Sequence, residues 1–286
     1  MKLHPECVPC LFQQALRTAK IATDDETQHW QILNGLAQVF TELPENTIQV
    51  EVAGEIQKLL TQTTGDGDPY RHLKQHYNDI ALKLTPHLRE AIATADDSLL
   101  TAIRIAIAGN IVDFGISEAF DLEKTVFDSL TQTFSIFDYE EFKQQLNEAK
   151  TVLYISDNTG EIAFDRLLVE QLLQQQKQVT LAVRGAPAIN DATLEDAAYV
   201  GLTDLVPVIT TGTALPGTVV KKANAEFQHH FKTADLVISK GQGNFEGLSD
   251  EKRSIVFLLK AKCSPIAQTL GVETGAMVFR VKSPSP

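Results

Sequence analysis

The sequence lacks the features that mark membrane proteins, secreted proteins and disulfide-stabilised proteins. No stretch approaches the roughly 20 apolar residues that a membrane-spanning helix needs. The opening residues, MKLHPECVPCLFQQ, contain no long apolar run of the kind found in signal peptides. Three cysteines in 286 residues are too few for a disulfide framework. We therefore expect a soluble, cytoplasmic protein with no membrane partner.

Positive charge is also scarce. The 25 Lys and Arg residues face 37 Asp and Glu residues, which gives a formal net charge of −12 and a pI near 5.0. Nucleic-acid binding needs basic surface that displaces counterions from phosphates, so we expect no nucleic-acid partner. A local basic pocket for one small anion is compatible with this balance. The hydrophobic fraction of 43% is enough to fill a core.

The hydrophobic pattern of residues 1–148 is helical. In ETQHWQILNGLAQVFTEL, apolar residues recur at helical spacing and predict a buried face that includes Trp30 and Leu36. The stretch SLLTAIRIAIAGNIVDFG predicts a more apolar, buried helix. Lys74 and Asn78 lie one helical turn apart and share a face, which can meet the substrate but which we expect to be solvated.

Residues 149–286 alternate short β-branched runs with helical segments. The strand-like runs are TVLYISD, QVTLAVRG, DLVISKG, SIVFLLKAK and AMVFRVK. Because strands that alternate with helices form βαβ units, this pattern predicts a mainly parallel sheet. The predicted fold class is α/β: a helical N-terminal region, 1–148, is packed on a Rossmann-like, mainly parallel α/β sheet region, 149–286.

Three of the predicted strands end in turns rich in polar side chains. The turns read SDNTGE at 156–161, RGAPAINDAT at 184–193 and SKGQGN at 239–244. Ligands of open parallel sheets bind beyond the carboxyl ends of the strands. We therefore expect these three turns to lie together and to form the functional site.

The turns supply both metal ligands and partners for an anion. Asp157, Asn158 and Asp191 offer two carboxylates and an amide oxygen, which are ligands that hard divalent cations prefer. Lys240 and Arg184 offer positive charge, and the glycines after Lys240 let backbone N–H groups approach an anion closely. Together these groups suit a phosphoryl group.

Each turn also has a purely structural interpretation. Asp157 or Asn158 can cap the helix that follows, and Asn190 with Asp191 can cap the next one. Lys240 can simply end its strand. The glycines of GQGNFEG do not fit G-x-G-x-x-G, and no G-x-x-x-x-G-K-[ST] occurs, which disfavours a nucleotide-binding loop and a P-loop. The first strand ends in Asp-Asn and not in a glycine fingerprint, which disfavours dinucleotide and S-adenosylmethionine sites.

The ordered motifs SDNTGE, RGAPAINDAT and SKGQGNFEGL resemble the metal-dependent damage-control phosphatases, a family once known only as a domain of unknown function. In the N-terminal half, HPECVPCLFQQALR, DPYRHLKQHYN and AIAGNIVDFG are similar to its prokaryotic, cysteine-bearing branch. The resemblance implies hydrolysis of phosphate esters of small metabolites, such as sugar phosphates or damaged and side-product metabolites. It also implies one divalent metal, Mn, Co, Ni or Mg, as cofactor.

The resemblance assigns roles to the residues of the strand ends. Asp157, Asn158 and Asp191 take the places of the metal ligands, and Lys240 takes that of the lysine that contacts the phosphate. Asp157 and Lys240 are the expected catalytic residues. A phosphorylated Asp157 is the rival route, but the turn reads Asp-Asn-Thr and lacks the D-x-D signature of aspartyl-phosphate phosphatases.

A second group of residues is expected to bind the substrate, a small phosphorylated metabolite. These residues are Asn110, Asp113, Arg184, Asn190 and Gly241. In the expected mechanism, water attacks in line with the leaving alcohol while positive groups stabilise charge on the phosphoryl oxygens. A non-catalytic sensor of a small phosphate or nucleotide, which uses the same cleft, is the alternative function.

The cysteines pose a separate question. Cys7 and Cys10 have C-x-x-C spacing, with His4 just upstream, and Cys263 follows a predicted strand. If Cys263 folds back onto the N-terminus, a second, thiolate-bound metal site can form. A redox pair is the second interpretation, and free cysteines that simply pack in the core are the third.

Overall fold

The computed structural model describes residues 1–109, 127–128 and 130–284. Residues 1–109 form five helices, which are α1 (Cys7–Ala22), α2 (Glu26–Thr41), α3 (Gln49–Thr64), α4 (Arg71–Thr94) and α5 (Ser98–Ala108). The helical N-terminal region expected from the sequence is therefore confirmed. Asn110 and Asp113, which we expected to meet the substrate, lie outside the described residues.

The buried face of α2 differs in part from the predicted one. Leu36 is buried as expected, together with His29 and Ile32, but Trp30 is 65% exposed. The apolar stripe that reaches the core is centred on Ile32 and Leu36, one turn apart, and the indole lies outside it. The expectation for Trp30 is therefore wrong. Helices α1, α2 and α3 pack on one another around this core.

The described residues after α5 contain seven strands in a single sheet. In chain order they are β1 (Phe134–Phe137), β2 (Thr151–Ile155), β3 (Gln178–Val183), β4 (Val208–Thr210), β5 (Leu236–Lys240), β6 (Ile255–Lys260) and β7 (Met277–Lys282). Their spatial order is β1-β7-β6-β5-β2-β3-β4, and all neighbours are parallel except β6 and β7. The predicted α/β class with a mainly parallel sheet is confirmed.

All five strand-like runs of the sequence form strands, but two further strands were not predicted. β1 has four residues and β4 has three, too few for a strand pattern to stand out in the sequence. β1 comes from the chain ahead of residue 149 and pairs with β7. The sheet therefore takes strands from both of the predicted regions.

Helices cover both faces of the sheet. Those after β1 are Tyr139–Glu148, Glu161–Gln174, Leu194–Tyr199, Ala225–Thr233, Gln242–Leu248 and Ser264–Leu270. Val152 and Tyr154 of β2 belong to one core, whereas Leu153 and Ile155 belong to another. Because successive strand side chains point to opposite faces, both sides of β2 are buried, as in other parallel sheets. Within the described ranges, no helix is long and apolar enough to cross a membrane.

Candidate active site

A cleft of ≈ 220 Å³ lies beyond the carboxyl ends of the central strands. Helices α1 and α3 line one side of it with Gln14 and Gln49. The turns after β2 and β3 line the other side with Asp157, Asn158 and Asp191. The cleft is thus built where the helical N-terminal region meets the sheet edge, the place where open parallel sheets bind ligands.

The register of the sheet explains why the polar turns meet. β2 lies between β3 and β5, and Ile155 at the end of β2 is level with Ala182 and Ser239 of these neighbours. The turns that follow consequently leave the sheet side by side. An isolated bridge between Asn158 and Asp191 joins the first turn to the second.

Hydrogen bonds fix the side chain of Asn158. Its Nδ2 donates to Asp157 Oδ2 at 3.1 Å and to Glu161 Oε1 at 2.8 Å. Because both amide hydrogens are given to carboxylates, the amide oxygen is the atom of this side chain that a cation can use. Glu161 was part of the SDNTGE motif, but sequence analysis gave it no role.

Arg184 lies beneath the carboxylates and not in the cleft. Its Nε donates to Asp191 Oδ2 at 2.5 Å, and its Nη2 is 3.6 Å from Asp157 Oδ1. Nη1 donates to Thr218 Oγ1 at 2.9 Å, and Nη2 donates to Asn244 Oδ1 at 3.0 Å. The side chain is only 1% exposed. Arg184 holds the two cleft carboxylates in place, and its expected contact with substrate stays a prediction.

Lys240 is also buried below the cleft. Its Nζ lies 2.9 Å from Asp165 Oδ1 and 3.4 Å from Glu161 Oε2. Tyr154 donates its hydroxyl hydrogen to the same Asp165 oxygen at 2.8 Å. The ammonium group is fully buried between these acids, so the geometry does not support the expected contact with a substrate phosphate. Lys240 acts on the cleft indirectly, through the Glu161 carboxylate that also holds Asn158.

The sequence does carry a signal for the ion cluster of Lys240, Glu161 and Asp165. Glu161 and Asp165 are acids one turn apart in EIAFDRLLVEQLL, the helix that is buried against β2. Acids that are buried with an apolar helix need a cationic or hydrogen-bonding partner, because an isolated buried charge is very costly. The lysine at the end of a neighbouring central strand is that partner.

Position 241 must be glycine because the Asp157 carboxylate packs directly against Gly241. Its φ of +81° is in the left-handed region, and a Cβ there would overlap the Asp157 carboxylate. Its N–H donates to the carbonyl of Leu258 at 3.0 Å. This amide is used within the sheet, so the expectation that it binds a phosphate is not supported.

Burial and neighbouring charge perturb both cleft acids. The pKa of Asp157 lies well above its usual range because burial disfavours the charged form and Asp191 and Glu161 add negative charge nearby. Burial raises the pKa of Asp191 to about 6, although the guanidinium of Arg184 acts in the opposite direction. A cation bound beside these two acids would therefore stabilise their charged forms.

Two polar residues of α4 are buried, contrary to the sequence prediction. Asn78 Oδ1 accepts the N–H of Gly160 at 2.7 Å, and its Nδ2 donates to Asp196 Oδ1 at 3.0 Å. Lys74 Nζ lies 2.8 Å from Asp68 and 3.8 Å from Asp196. The expected solvated face is wrong, because this face of α4 docks on the turns that follow β2 and β3.

The second turn is held mainly through its backbone. The carbonyl of Asn190 accepts the N–H and the hydroxyl hydrogen of Thr159 at 2.9 and 3.1 Å. Ile189, which lines the cleft, has a φ of +53°, a conformation that β-branched residues rarely adopt. These contacts place Asn190 beside the first turn, but substrate binding by its side chain stays a prediction.

The structure brings Cys263 towards the N-terminus, as the sequence hypothesis required. Burial raises the pKa of Cys7, and the nearby Glu246, Cys263 and Cys10 raise it further, so these four groups are electrostatic neighbours. All three cysteines are free. Across 1–109, 127–128 and 130–284, no three His, Cys, Asp or Glu side chains are placed to hold a metal ion. A thiolate-bound metal and a redox pair stay predictions.

The chain was compared with known families and proteins. The ARMT1-like domain of damage-control phosphatases matches residues 3–278. A damage-control phosphatase of Archaeoglobus fulgidus is 33% identical over 288 residues, which cover 98% of this chain and 99% of that protein. A damage-control phosphatase of Pyrococcus horikoshii is 36% identical over 282 residues, which cover 97% of each chain.

The solved structures agree with these matches. The crystal structure of a DUF89 family protein from Pyrococcus horikoshii has a TM-score of 0.91 and 35% sequence identity, with 98% of each chain covered. The names of the relatives support a phosphatase role for this chain. Since the domain match and both relatives extend over nearly all of its length, the chain belongs to the family of ARMT1-like damage-control phosphatases.

Proposed function

We propose that this protein is a divalent-metal-dependent phosphatase that hydrolyses phosphate monoesters of small metabolites. Sugar phosphates and damaged or side-product phosphometabolites are the expected substrate class. The observation that carries the proposal is the convergence of Asp157, Asn158 and Asp191 on one cleft at the sheet edge. Family membership supports the phosphatase activity, and the donor atoms of the cleft support the metal dependence.

The chemistry of the cleft fits a hard divalent cation such as Mn, Co, Ni or Mg. Two carboxylates and an amide oxygen are typical ligands of such ions and leave positions for water and a phosphate oxygen. The buried cluster holds four acids and two bases, which are Asp157, Glu161, Asp165, Asp191, Arg184 and Lys240. With all groups ionised, the cluster carries two excess negative charges, which one divalent cation would neutralise.

The side chains around the proposed metal position have different roles in the proposed reaction. When bound, the ion would polarise the phosphoryl group and lower the pKa of a nearby water. Arg184 keeps the two carboxylates in place, and the Lys240–Glu161 pair keeps Asn158 oriented. Among the described residues that line the cleft, Lys262 has the one cationic side chain, and it would stabilise negative charge on the phosphate oxygens.

The size and polarity of the cleft support a small, hydrophilic substrate. Its volume of ≈ 220 Å³ is below the roughly 300–1,000 Å³ of pockets that bind drug-sized ligands. Glutamine side chains line it at positions 14, 49 and 242, and they can both donate and accept hydrogen bonds. Such a lining suits the hydroxyl groups of a phosphorylated polyol or sugar.

Phosphate release tests the proposal. The protein is treated with a chelator, re-supplied with Mn, Co, Ni or Mg, and assayed with a panel of sugar phosphates and an aryl phosphate. We expect turnover that requires the metal and falls about 10²-fold or more in Asp157→Ala, because one ligand is lost. Asp204→Asn is the matched control, since Asp204 is an exposed acid of the same region.

Two results would contradict the proposal in different ways. Full activity in chelated protein would show that the protein is a phosphatase that does not depend on a metal. Tight binding of phosphate esters without turnover, whichever metal is supplied, would show that the protein is a non-catalytic sensor and not an enzyme.

A further inference from the structure

Glu246 is a buried acid in the wall of the cleft that has no part in the proposed metal site. It lies in the helix Gln242–Leu248, is 3% exposed, and lines the same cleft as Asp157 and Asp191. Gln242 Nε2 donates to Glu246 Oε1 at 3.1 Å and so fixes the carboxyl group. A buried acid beside a reaction cleft calls for a partner or a function.

The surroundings of Glu246 keep it protonated to a much higher pH than an ordinary glutamate. Burial raises the pKa of Glu246 to about 7, although the bond from Gln242 and the ammonium of Met1 act in the opposite direction. That ammonium donates to the carbonyl of Glu246 at 2.7 Å and lies 2.9 Å from Asp250. Its charge is therefore already shared with an acid and an acceptor.

The other titratable groups on this side of the cleft include three thiols and the ammonium of Lys262. Burial raises the pKa of all three thiols in this part of the protein, Cys7 and Cys10 of α1 and Cys263 after β6, so they are neutral. Lys262 lines the cleft from the same loop as Cys263. Near pH 7, Glu246 therefore combines a protonated population with access to the cleft, as a proton donor requires.

We propose that Glu246 is the general acid of the hydrolysis and protonates the leaving alcohol. This inference rests on the proposed phosphatase function. The water oxygen forms the new bond to phosphorus while the ester P–O bond breaks, and the electron pair of that bond stays on the leaving oxygen. This oxygen takes the Glu246 proton. The attacking water releases one proton to solvent, and the Glu246 carboxylate regains one from solvent, so the acid is restored.

The dependence on the leaving group follows from this role. A sugar or polyol phosphate releases an alkoxide, a strong base that must be protonated as the bond breaks. A nitrophenyl phosphate releases a weakly basic aryl oxide, which leaves without a proton. Loss of the general acid should therefore slow the alkyl esters selectively, and the wild-type rate on alkyl esters should decline as pH rises through about 7, where Glu246 ionises.

The experiment compares Glu246→Gln with wild type on glycerol phosphate and on 4-nitrophenyl phosphate between pH 5 and 9, with the preferred metal bound. Glutamine retains the shape and the acceptor for Gln242 but carries no transferable proton. We expect kcat/KM for glycerol phosphate to fall about 10²-fold or more at pH 6 and to lose its decline at high pH. On nitrophenyl phosphate we expect a change of less than about fivefold.

A control and a second readout separate this role from a structural one. Glu226→Gln, a change of an exposed acid in the helix Ala225–Thr233, should behave as wild type on both substrates. Infrared difference spectra of the metal-free protein should show a protonated carboxyl that titrates near pH 7 in wild type and is absent from Glu246→Gln.

The possible outcomes bear on different claims. Equal losses on the two substrates would overturn the general-acid role. A higher KM for glycerol phosphate with an unchanged pH profile would overturn it too and make Glu246 a residue that binds substrate hydroxyls. If wild type hydrolyses neither ester with any metal, the proposed function itself is wrong.

Discussion

At the scale of single residues, the cleft depends on a glycine, Gly241, which has no Cβ. Gly241 directly follows β5, and the Asp157 carboxylate occupies the position that a Cβ on Gly241 would take. Two separate features disfavour any other residue here: the positive φ strains the backbone of other residues, and a Cβ would collide with Asp157. The two effects can be separated experimentally, because Gly271 also has a positive φ but has no neighbour at the Cβ position.

We expect Gly241→Ala to abolish most activity. The new Cβ would displace Asp157 and with it one ligand of the proposed metal, so kcat/KM should fall about 10²-fold or more. In addition, placing alanine in the left-handed backbone region should lower the unfolding free energy by about 1–2 kcal/mol. Phosphate release and urea unfolding measure the two effects.

Gly271→Ala is the matched control for this substitution. Gly271 has a φ of +72°, but no atom lies within 4 Å of the position of its Cβ. It should lose a similar amount of stability and keep its activity. If the two variants were equally active, the contact between Gly241 and Asp157 would have no functional importance.

At the scale of elements, one side chain docks α4 on the first turn of the cleft. Asn78 satisfies the N–H of Gly160 just before the helix Glu161–Gln174 begins. Helix starts leave N–H groups without partners in the helix, and burial makes such groups costly when they are left unpaired. The packing of α4 is thereby linked to the orientation of Asn158 and Glu161.

Asn78→Ala should therefore weaken both folding and metal binding. We expect a loss of about 2 kcal/mol in unfolding free energy, because the buried N–H of Gly160 loses its acceptor. Metal affinity should fall about tenfold, as for other residues that orient ligands. Calorimetric titration with Mn measures the affinity.

A nearby change on the same helix controls for this prediction. Lys83 is exposed on α4, so Lys83→Ala should leave both quantities close to wild type. Unchanged metal affinity in Asn78→Ala would show that α4 only stabilises the fold.

At the scale of the whole molecule, the buried cluster under the cleft concentrates negative charge between the sheet and the helices. Arg184 and Lys240 offset only part of it. A divalent cation that binds the folded protein, and not the unfolded chain, must raise the stability of the whole molecule. The gain depends only on the free metal concentration and the dissociation constant.

We expect metal removal to lower the thermal and denaturant stability of wild type. Free metal at 100 times its dissociation constant should add about 2.7 kcal/mol to the unfolding free energy. Asp157→Asn should show little of this gain, whereas the exposed Asp204→Asn should show all of it. Equal stabilisation of the two variants would place the metal elsewhere.

The sequence by itself determined the fold class, the helical first region and five of the strands. It also determined which turns would meet, since periodic apolar runs and polar strand ends are local patterns, and parallel strands bring their carboxyl ends to one edge. The strands β1 and β4 could not be predicted in this way, because three or four residues carry too little pattern.

Only the tertiary structure decided which way the polar side chains face. Lys240 and Arg184 looked alike as cations at strand ends, yet both are buried under the cleft, while Lys262 and Glu246 line it. Their positions depend on ion pairs between residues that are far apart in the chain, such as Lys240 with Asp165. Whether a charged side chain is buried is settled by such partners, and local sequence does not specify them.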